Sequence, residues 1–388
     1  MAQLQQIRPP FAGRDFARWA AYAMACAALL LNLAASWKVY GQEPLREAAS
    51  RSLFAANSGW FYDSGLAEPL PVFALKAAMA LGAPPEPALR AQGLAVFALL
   101  FAVTFFCLRR RCGDTAGSMG ALFVAANPYF GYYAMQGGSH LYALLFLALF
   151  WYWLDVPEGG RRPALLAGLA GGLALLSRLD AAWALLLISG LSLALKRDRA
   201  MLARAGLALG LALLLAAPYL GWQKAKYGNA LYAQELALRR WANVDAYGYS
   251  KGAPYQAAPV SPAGFLLRNG AAGALQSAFS GLGRAAAYEL PRAVYYRFLF
   301  VFVFLGAYAA FVLKRSGPLV FLAAALLPVL PLAAVRQVPA TGGIELKYYL
   351  WSLWALCALG GLGFQETLAW LERALKDKAA RHGAGERK

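Results

Sequence analysis

The chain is short of charge. Of its 388 residues only 14% are Asp, Glu, Lys or Arg, against about 25% in an ordinary soluble domain. That is too few to clothe a surface in water, and it excludes a conventional cytosolic enzyme. Acidic side chains are scarcest, 19 against 37 basic ones. The four cysteines, Cys26, Cys107, Cys112 and Cys357, offer neither a disulfide framework nor metal-ligand spacing. There is no HExxH, no phosphate-binding glycine loop and no dinucleotide fingerprint, so the motif-bearing zinc hydrolases and nucleotide binders are set aside. In a soluble protein the basic excess would point to nucleic acid. In a chain this apolar it reads as the charge bias of membrane ends, and no nucleic-acid partner is expected.

What the sequence does have is apolar residues, 60% of the total, gathered into runs. Helical spans need roughly 20 such residues. The runs predict spans at 17–36, 91–108, 115–134, 139–156, 163–177, 181–195, 202–220, 296–313, 317–335 and 349–364, about ten in all with a margin of about two. The first is expected to remain uncleaved, because no small-residue cleavage site follows its apolar run. Placing the N-terminus in the cytoplasm puts Arg109–Arg111, Arg161–Arg162, Lys196–Arg204 and Lys314–Arg315 in inner connections. The outer connection near Met135–Ser139 then carries no Lys or Arg, as charge asymmetry across a membrane requires. The expectation is a single integral membrane domain over 1–388, all-α and multi-pass in the inner membrane. Both termini would be cytoplasmic, with a basic tail at 365–388. Residues 262–283 are too polar for a span and suit a helix lying at the interface.

Two long segments fall on the outer side, 38–90 and 221–295. The first holds Glu43, Glu47, Asp63 and Glu68 close to Trp60 and Tyr62. If the stretch is helical, Glu43 and Glu47 share a face. Each carboxylate alone reads equally well as part of a solvated, ion-paired surface. As a group beside a membrane they suit activation of an acceptor hydroxyl, by taking its proton or orienting it. The acidic group would also admit a divalent cation, although no ligand spacing argues for one. The second segment is basic from Lys224 to Arg297, against only Glu235, Asp245 and Glu289. With Arg336 and Lys347 it presents cations to an anionic ligand, a lipid phosphate above all, or simply to anionic head groups. Arg178 and Asp180 lie between two apolar runs, as the cap of a tight turn or as charges facing a polar cavity. His140, after Gly137 and Gly138, is a site candidate or a packing residue at a helix start.

Several short motifs together resemble the GT-C superfamily of polytopic glycosyltransferases that use lipid-linked sugars, in particular the bacterial members related to protein mannosyltransferases and aminoarabinose transferases. The motifs are the acidic first outer segment with Glu68-Pro69-Leu70 and Ala80-Leu81-Gly82, Asn127-Pro128 in ANPYFGYYAMQGGSHLYALLFL, GLAGGLALLSRLD at Gly168–Asp180, PYLGWQKAKYGNALYAQ at Pro218–Gln234, and Lys347-Tyr348-Tyr349. The resemblance implies transfer of a sugar from a polyprenyl-phosphate carrier to a glycan, lipid or protein acceptor on the outer face, with inversion. It gives Glu43 the role of the family's first-loop acid, with Glu47, Asp63 and Glu68 still in contention. It gives Lys347, Arg336, Arg297, Arg292 and Tyr348 to the donor phosphate, and leaves Trp60, Tyr62, His140, Arg178 and Asp180 as pocket candidates. Lys347 stands where many members have Arg, a point charge in place of a bidentate fork. A membrane transporter or flippase, and a non-catalytic membrane assembly protein, are the alternative readings.

Overall fold

In the computed structural model, the described residues are 14–45, 69–156, 160–247, 261–312 and 346–385, with Leu53 and Ala56. Among them every regular element is a helix. Helix α1 is Arg14–Tyr40, α2 Pro69–Ala80, α3 Pro85–Cys112, α4 Asp114–Ala126, α5 Pro128–Met135 and α6 Ser139–Asp155. Then follow α7 Arg161–Ser177, α8 Ala181–Lys196, α9 Arg199–Tyr227, α10 Tyr232–Tyr247, α11 Pro262–Leu266 and α12 Gly270–Arg284. A π-turn, Ala285–Glu289, leads into α13 Leu290–Val294; α14 is Leu299–Val312. A 3-10 turn, Leu346–Tyr349, opens the long α15, Leu350–Gly385.

The bundle is built from pairs: α7 on both α6 and α9, α15 on both α14 and α4, and α4 on α1 and α3. Among the described residues three helices are long and apolar enough to cross a membrane unaided, at Arg18–Tyr40, Pro85–Cys112 and Arg199–Tyr227. Of the other predicted spans that fall on described residues, several are shorter or broken, while the one at 349–364 lies, from Leu350 on, within the long α15. The span expected at 115–134 is interrupted, because Pro128 keeps Asn127 out of the helical region (φ −78°, ψ 120°) and starts a new helix. The span expected at 296–313 starts after a sharp corner: the segment 270–294 and α14 meet at 116°. Of the tail expected at 365–388, the part through Gly385 is the continuation of α15. Residues 317–335 lie outside the described residues. The stretch at 262–283, where one helix is expected, forms two, α11 and α12, parted by a turn at 267–269. None of the residues of α12 is buried, and Leu275 and Phe279 stand exposed on it.

Among the described residues, polar links join the helices through side chains and through helix-end carbonyls. Trp354 Nε1 donates to Thr104 Oγ1 at 2.8 Å across the α15–α3 contact. At the end of α6, Arg111 donates to the Tyr152 carbonyl at 3.1 Å and Arg204 to the Leu154 and Val156 carbonyls, while Lys196 and Arg111 pair with Asp155. The last carbonyls of a helix have no partner within it and attract cations. So part of the basic residue set that reads as membrane-side charge has a structural task as well. At the same end, Asp114 ties α1 to the α3–α4 junction through Arg18 and Arg109, each at 2.5 Å.

Candidate functional site

The opposite end of the bundle gathers the chemistry. It starts with a polar seam between α1 and the broken α4–α5 pair. Asn32 donates from Nδ2 to the carbonyls of Ala125 (2.6 Å) and Asn127 (3.0 Å), satisfying backbone that the break at Pro128 leaves open. Ser36 Oγ donates to Asn32 Oδ1 at 3.0 Å. Only glycine fits opposite them: a Cβ at Gly131 would strike both Ser36 Oγ and Asn32 Oδ1. Asn127 itself accepts from the Tyr129 amide at 3.0 Å and caps α5. Its Nδ2 reaches across to the carbonyls of Ala293 (3.0 Å) and Val294 (3.2 Å).

Glu43 follows α1 in a turn, its amide donating to the Tyr40 carbonyl at 3.2 Å. It is exposed and not helical, so the helix face expected for Glu43 and Glu47 does not begin here. The turn is anchored by Arg90, which is buried at the start of α3. Its guanidinium donates to the carbonyls of Tyr40 (2.5 Å) and Glu43 (2.7 Å) and to Glu86 Oε1 (2.5 Å). Glu43, Tyr129 and Tyr295 all stand within electrostatic reach of the Tyr40 hydroxyl. Tyr40 also packs edge-on to Tyr132, and Tyr129 edge-on to Tyr295 (centroids 5.0 and 6.2 Å). An exposed carboxylate thus follows Tyr40, on whose far side a cluster of phenols begins.

A second group forms where α6 begins. Gly137 and Gly138 are both left-handed (φ 81° and 51°) and turn the chain into Ser139. Arg178, between α7 and α8, grips Asp180 with two bonds of 2.8 and 2.7 Å and reaches Ser139 Oγ at 3.4 Å. His140 is buried, and its charged neighbours are Arg178 and Lys347. Trp351 Nε1 donates to the His140 carbonyl at 3.2 Å, fixing the start of α15 to the start of α6. The Arg178–Asp180 pair therefore spans the turn between α7 and α8 without a side-chain capping bond, and Arg178 joins a cationic group. Helix α5 packs on α1 and α3, which carry the Glu43 turn, and on the 3-10 turn, which carries Lys347. Both groups thus border one short helix.

Of the expected phosphate ligands, Lys347 is half-buried in the 3-10 turn and Tyr348 is placed there by its backbone. That turn also touches α13, which bears the exposed Arg292; Arg297 is exposed just beyond. Glu47, Asp63, Glu68, Trp60, Tyr62 and Arg336 lie outside the described residues. Among the described residues no three His, Cys, Asp or Glu side chains converge as a metal site needs. The sequence reading missed Tyr40, Tyr129, Tyr295, Arg90 and Asn127. Asn-Pro at 127–128 was in view as a motif, and its helix-breaking chemistry was the unused signal.

Residues 67–222 match the model of a family described as dolichyl-phosphate-mannose-protein mannosyltransferase. A comparison with curated protein sequences finds no match. Among solved structures, the chain is similar to ArnT from Cupriavidus metallidurans bound to undecaprenyl phosphate, at 13% identity and a TM-score of 0.61. The likeness covers 91% of this chain and 61% of that one, so this chain spans less than two thirds of its length. Against the apo state of the same ArnT the identity is 15% and the TM-score 0.44, covering 89% and 78% of the two chains. The resemblance read from the sequence is borne out over the matched residues 67–222 and in the fold: the described residues are all-α, with the fold of that polytopic membrane protein.

Proposed function

We propose that the protein transfers a sugar from a polyprenyl-phosphate carrier to an acceptor hydroxyl. The observation that carries this reading is the arrangement around α5: an exposed carboxylate beside a cluster of phenols on one side, and the Arg178–His140–Lys347 group on the other. The family match, and a fold shared with a protein whose structure holds undecaprenyl phosphate, support it.

In this reaction the acceptor hydroxyl gives its proton to Glu43 as its oxygen attacks the anomeric carbon. The bond from that carbon to the carrier's phosphate oxygen breaks, and the electron pair leaves with the phosphate. Lys347 meets the resulting negative charge, with Arg292 and Arg297 nearby and Arg336 as a further cation for it. Asp63 or Glu68 orients the acceptor, and Glu47 remains an alternative base. Attack opposite the leaving group inverts the anomeric centre. The reaction takes place on the outer face of the inner membrane, with both termini inside.

The test is native mass spectrometry of the detergent-purified chain with lipid fragmentation, followed by a transfer assay on the lipid found. A co-purifying polyprenyl phosphate, bare or glycosylated, is expected. Glu43→Gln should then abolish transfer and keep the lipid. Full turnover in Glu43→Gln overturns its role. Lipid flux across vesicles without any transfer would favour a flippase instead.

A further inference from the structure

The corner between α13 and α14 is built on a costly backbone. Tyr295 has φ 59° and ψ −59°, and the Tyr296 amide donates to the Val294 carbonyl at 2.6 Å. That is a γ-turn of the rare positive-φ kind, strained for any residue with a Cβ. A glycine would adopt it without penalty, yet a tyrosine stands there, 55% exposed. The strain is held from outside: Asn127, fully enclosed in the α4–α5 break, donates to Ala293 and Val294, the two carbonyls just before it. Strain maintained by surrounding structure at an exposed side chain marks a place where the side chain is needed.

Its surroundings say what for. Tyr295 meets Tyr129 edge-on at 6.2 Å and Tyr296 edge-on at 4.9 Å. Tyr129 lies one turn from Tyr132 on α5, Tyr132 packs edge-on to Tyr40 at 5.0 Å, and the Glu43 amide bonds the Tyr40 carbonyl, so the ring contacts lead from Tyr295 to the Glu43 turn. Three phenols from three separate elements thus gather beside the turn that bears the exposed carboxylate, offering ring faces and hydroxyls. A pyranose matches that offer: its C–H face packs on aromatic rings and its hydroxyls bond to phenols, whereas a prenyl chain has no use for the hydroxyls. On the transferase reading, we infer that Tyr295, with Tyr129 and Tyr40, forms the subsite for the sugar ring at Glu43, and that Asn127 is the positioning residue that holds Tyr295 there.

The experiment offers the full-length protein in detergent an equimolar mixture of undecaprenyl phosphate and mannosyl undecaprenyl phosphate. Native mass spectrometry then reads the ratio bound. The wild type should favour the glycosylated lipid. Tyr295→Leu should lose that preference by about tenfold, the scale of one lost aromatic stack, while holding the bare carrier as before. Tyr295→Gly removes the ring and relieves the backbone, so it should melt no lower than the wild type and still lose the preference. An unchanged ratio in Tyr295→Leu and Tyr295→Gly, or no preference in the wild type, overturns the subsite alone. Binding of neither lipid by the wild type overturns the carrier reading, and the subsite with it.

Discussion

Arg90 and Glu43 meet through the backbone and not through their charges. The guanidinium donates to the Glu43 main-chain carbonyl at 2.7 Å and gives its charge to Glu86. The Glu43 carboxylate is thereby left open, on a turn that cannot drift. Arg90→Met should leave the Tyr40 and Glu43 carbonyls without this donor. Each hydrogen bond so lost costs about 1 kcal/mol, so the melting temperature should fall. Turnover should fall further than carrier binding, because the base is displaced and the carrier's cations are not. Equal losses in binding and turnover would show that Arg90 supports the whole bundle end and not the Glu43 turn.

Lys347 and Arg178 should separate under mutation despite sharing the neighbourhood of His140. Lys347→Ala is expected to weaken undecaprenyl phosphate binding by about tenfold with little change in melting temperature. Arg178→Gln breaks the two bonds to Asp180 and the contact with Ser139, so it should lower stability as well as binding. A double-mutant cycle on lipid affinity should give a coupling of about 0.5 kcal/mol or more if both act on one phosphate. Unaltered lipid affinity in Lys347→Ala would remove that residue from the site.

Much of the bundle is legible in the sequence, because apolar runs declare membrane helices whatever their neighbours. The breaks are not. A hydropathy run from 115 to 134 passes straight over Pro128, and one proline changes its mean very little while ending the helix. Glu43 is legible as an acid next to the first span. Its phenolic surroundings are not, since Tyr40, Tyr129 and Tyr295 come from three elements that only the fold brings together. Arg90 looks like one more basic residue at the edge of a loop, and only its burial reveals an anchor. Arg178, Asp180, His140 and Lys347 can each be singled out from sequence. Their convergence depends on α6, α7 and the 3-10 turn meeting at one end of the bundle.

Gly131 tests the polar seam. A Cβ there would run into Ser36 Oγ and Asn32 Oδ1, so α1 and α5 would have to part. Overpacking of this kind costs about 1–3 kcal/mol, and it would also pull Asn32 from the Ala125 and Asn127 carbonyls. Gly131→Ala should therefore lower the melting temperature measurably, and Gly131→Val should lower it more. The control is Gly190→Ala, where an added Cβ meets nothing within 4 Å, and no loss is expected. Equal melting of Gly131→Ala and Gly190→Ala would show that the seam is looser than its distances imply.

The corner from α9 into α10 should respond to acid. Glu235 Oε2 accepts from Asn229 Nδ2 at 2.6 Å, and its Oε1 accepts from Arg239. The Asn229 bond first, and then Arg239, hold its carboxyl below the ordinary value of 4.5. A carboxyl that ionises more readily in the folded chain stabilises it where both states are ionised, above the unfolded value. That stabilisation is lost as the pH falls through the lowered folded value. Thermal melts from about pH 6 down to about pH 3 should therefore show wild type and Glu235→Gln converging at the acid end. Asn229→Ala removes the larger cause, and the carboxyl should then titrate closer to 4.5, bringing the loss to a higher pH. A gap between wild type and Glu235→Gln that stays constant over the whole range would show that the carboxyl titrates alike in both states. The acid response of this corner would then have to come from another group.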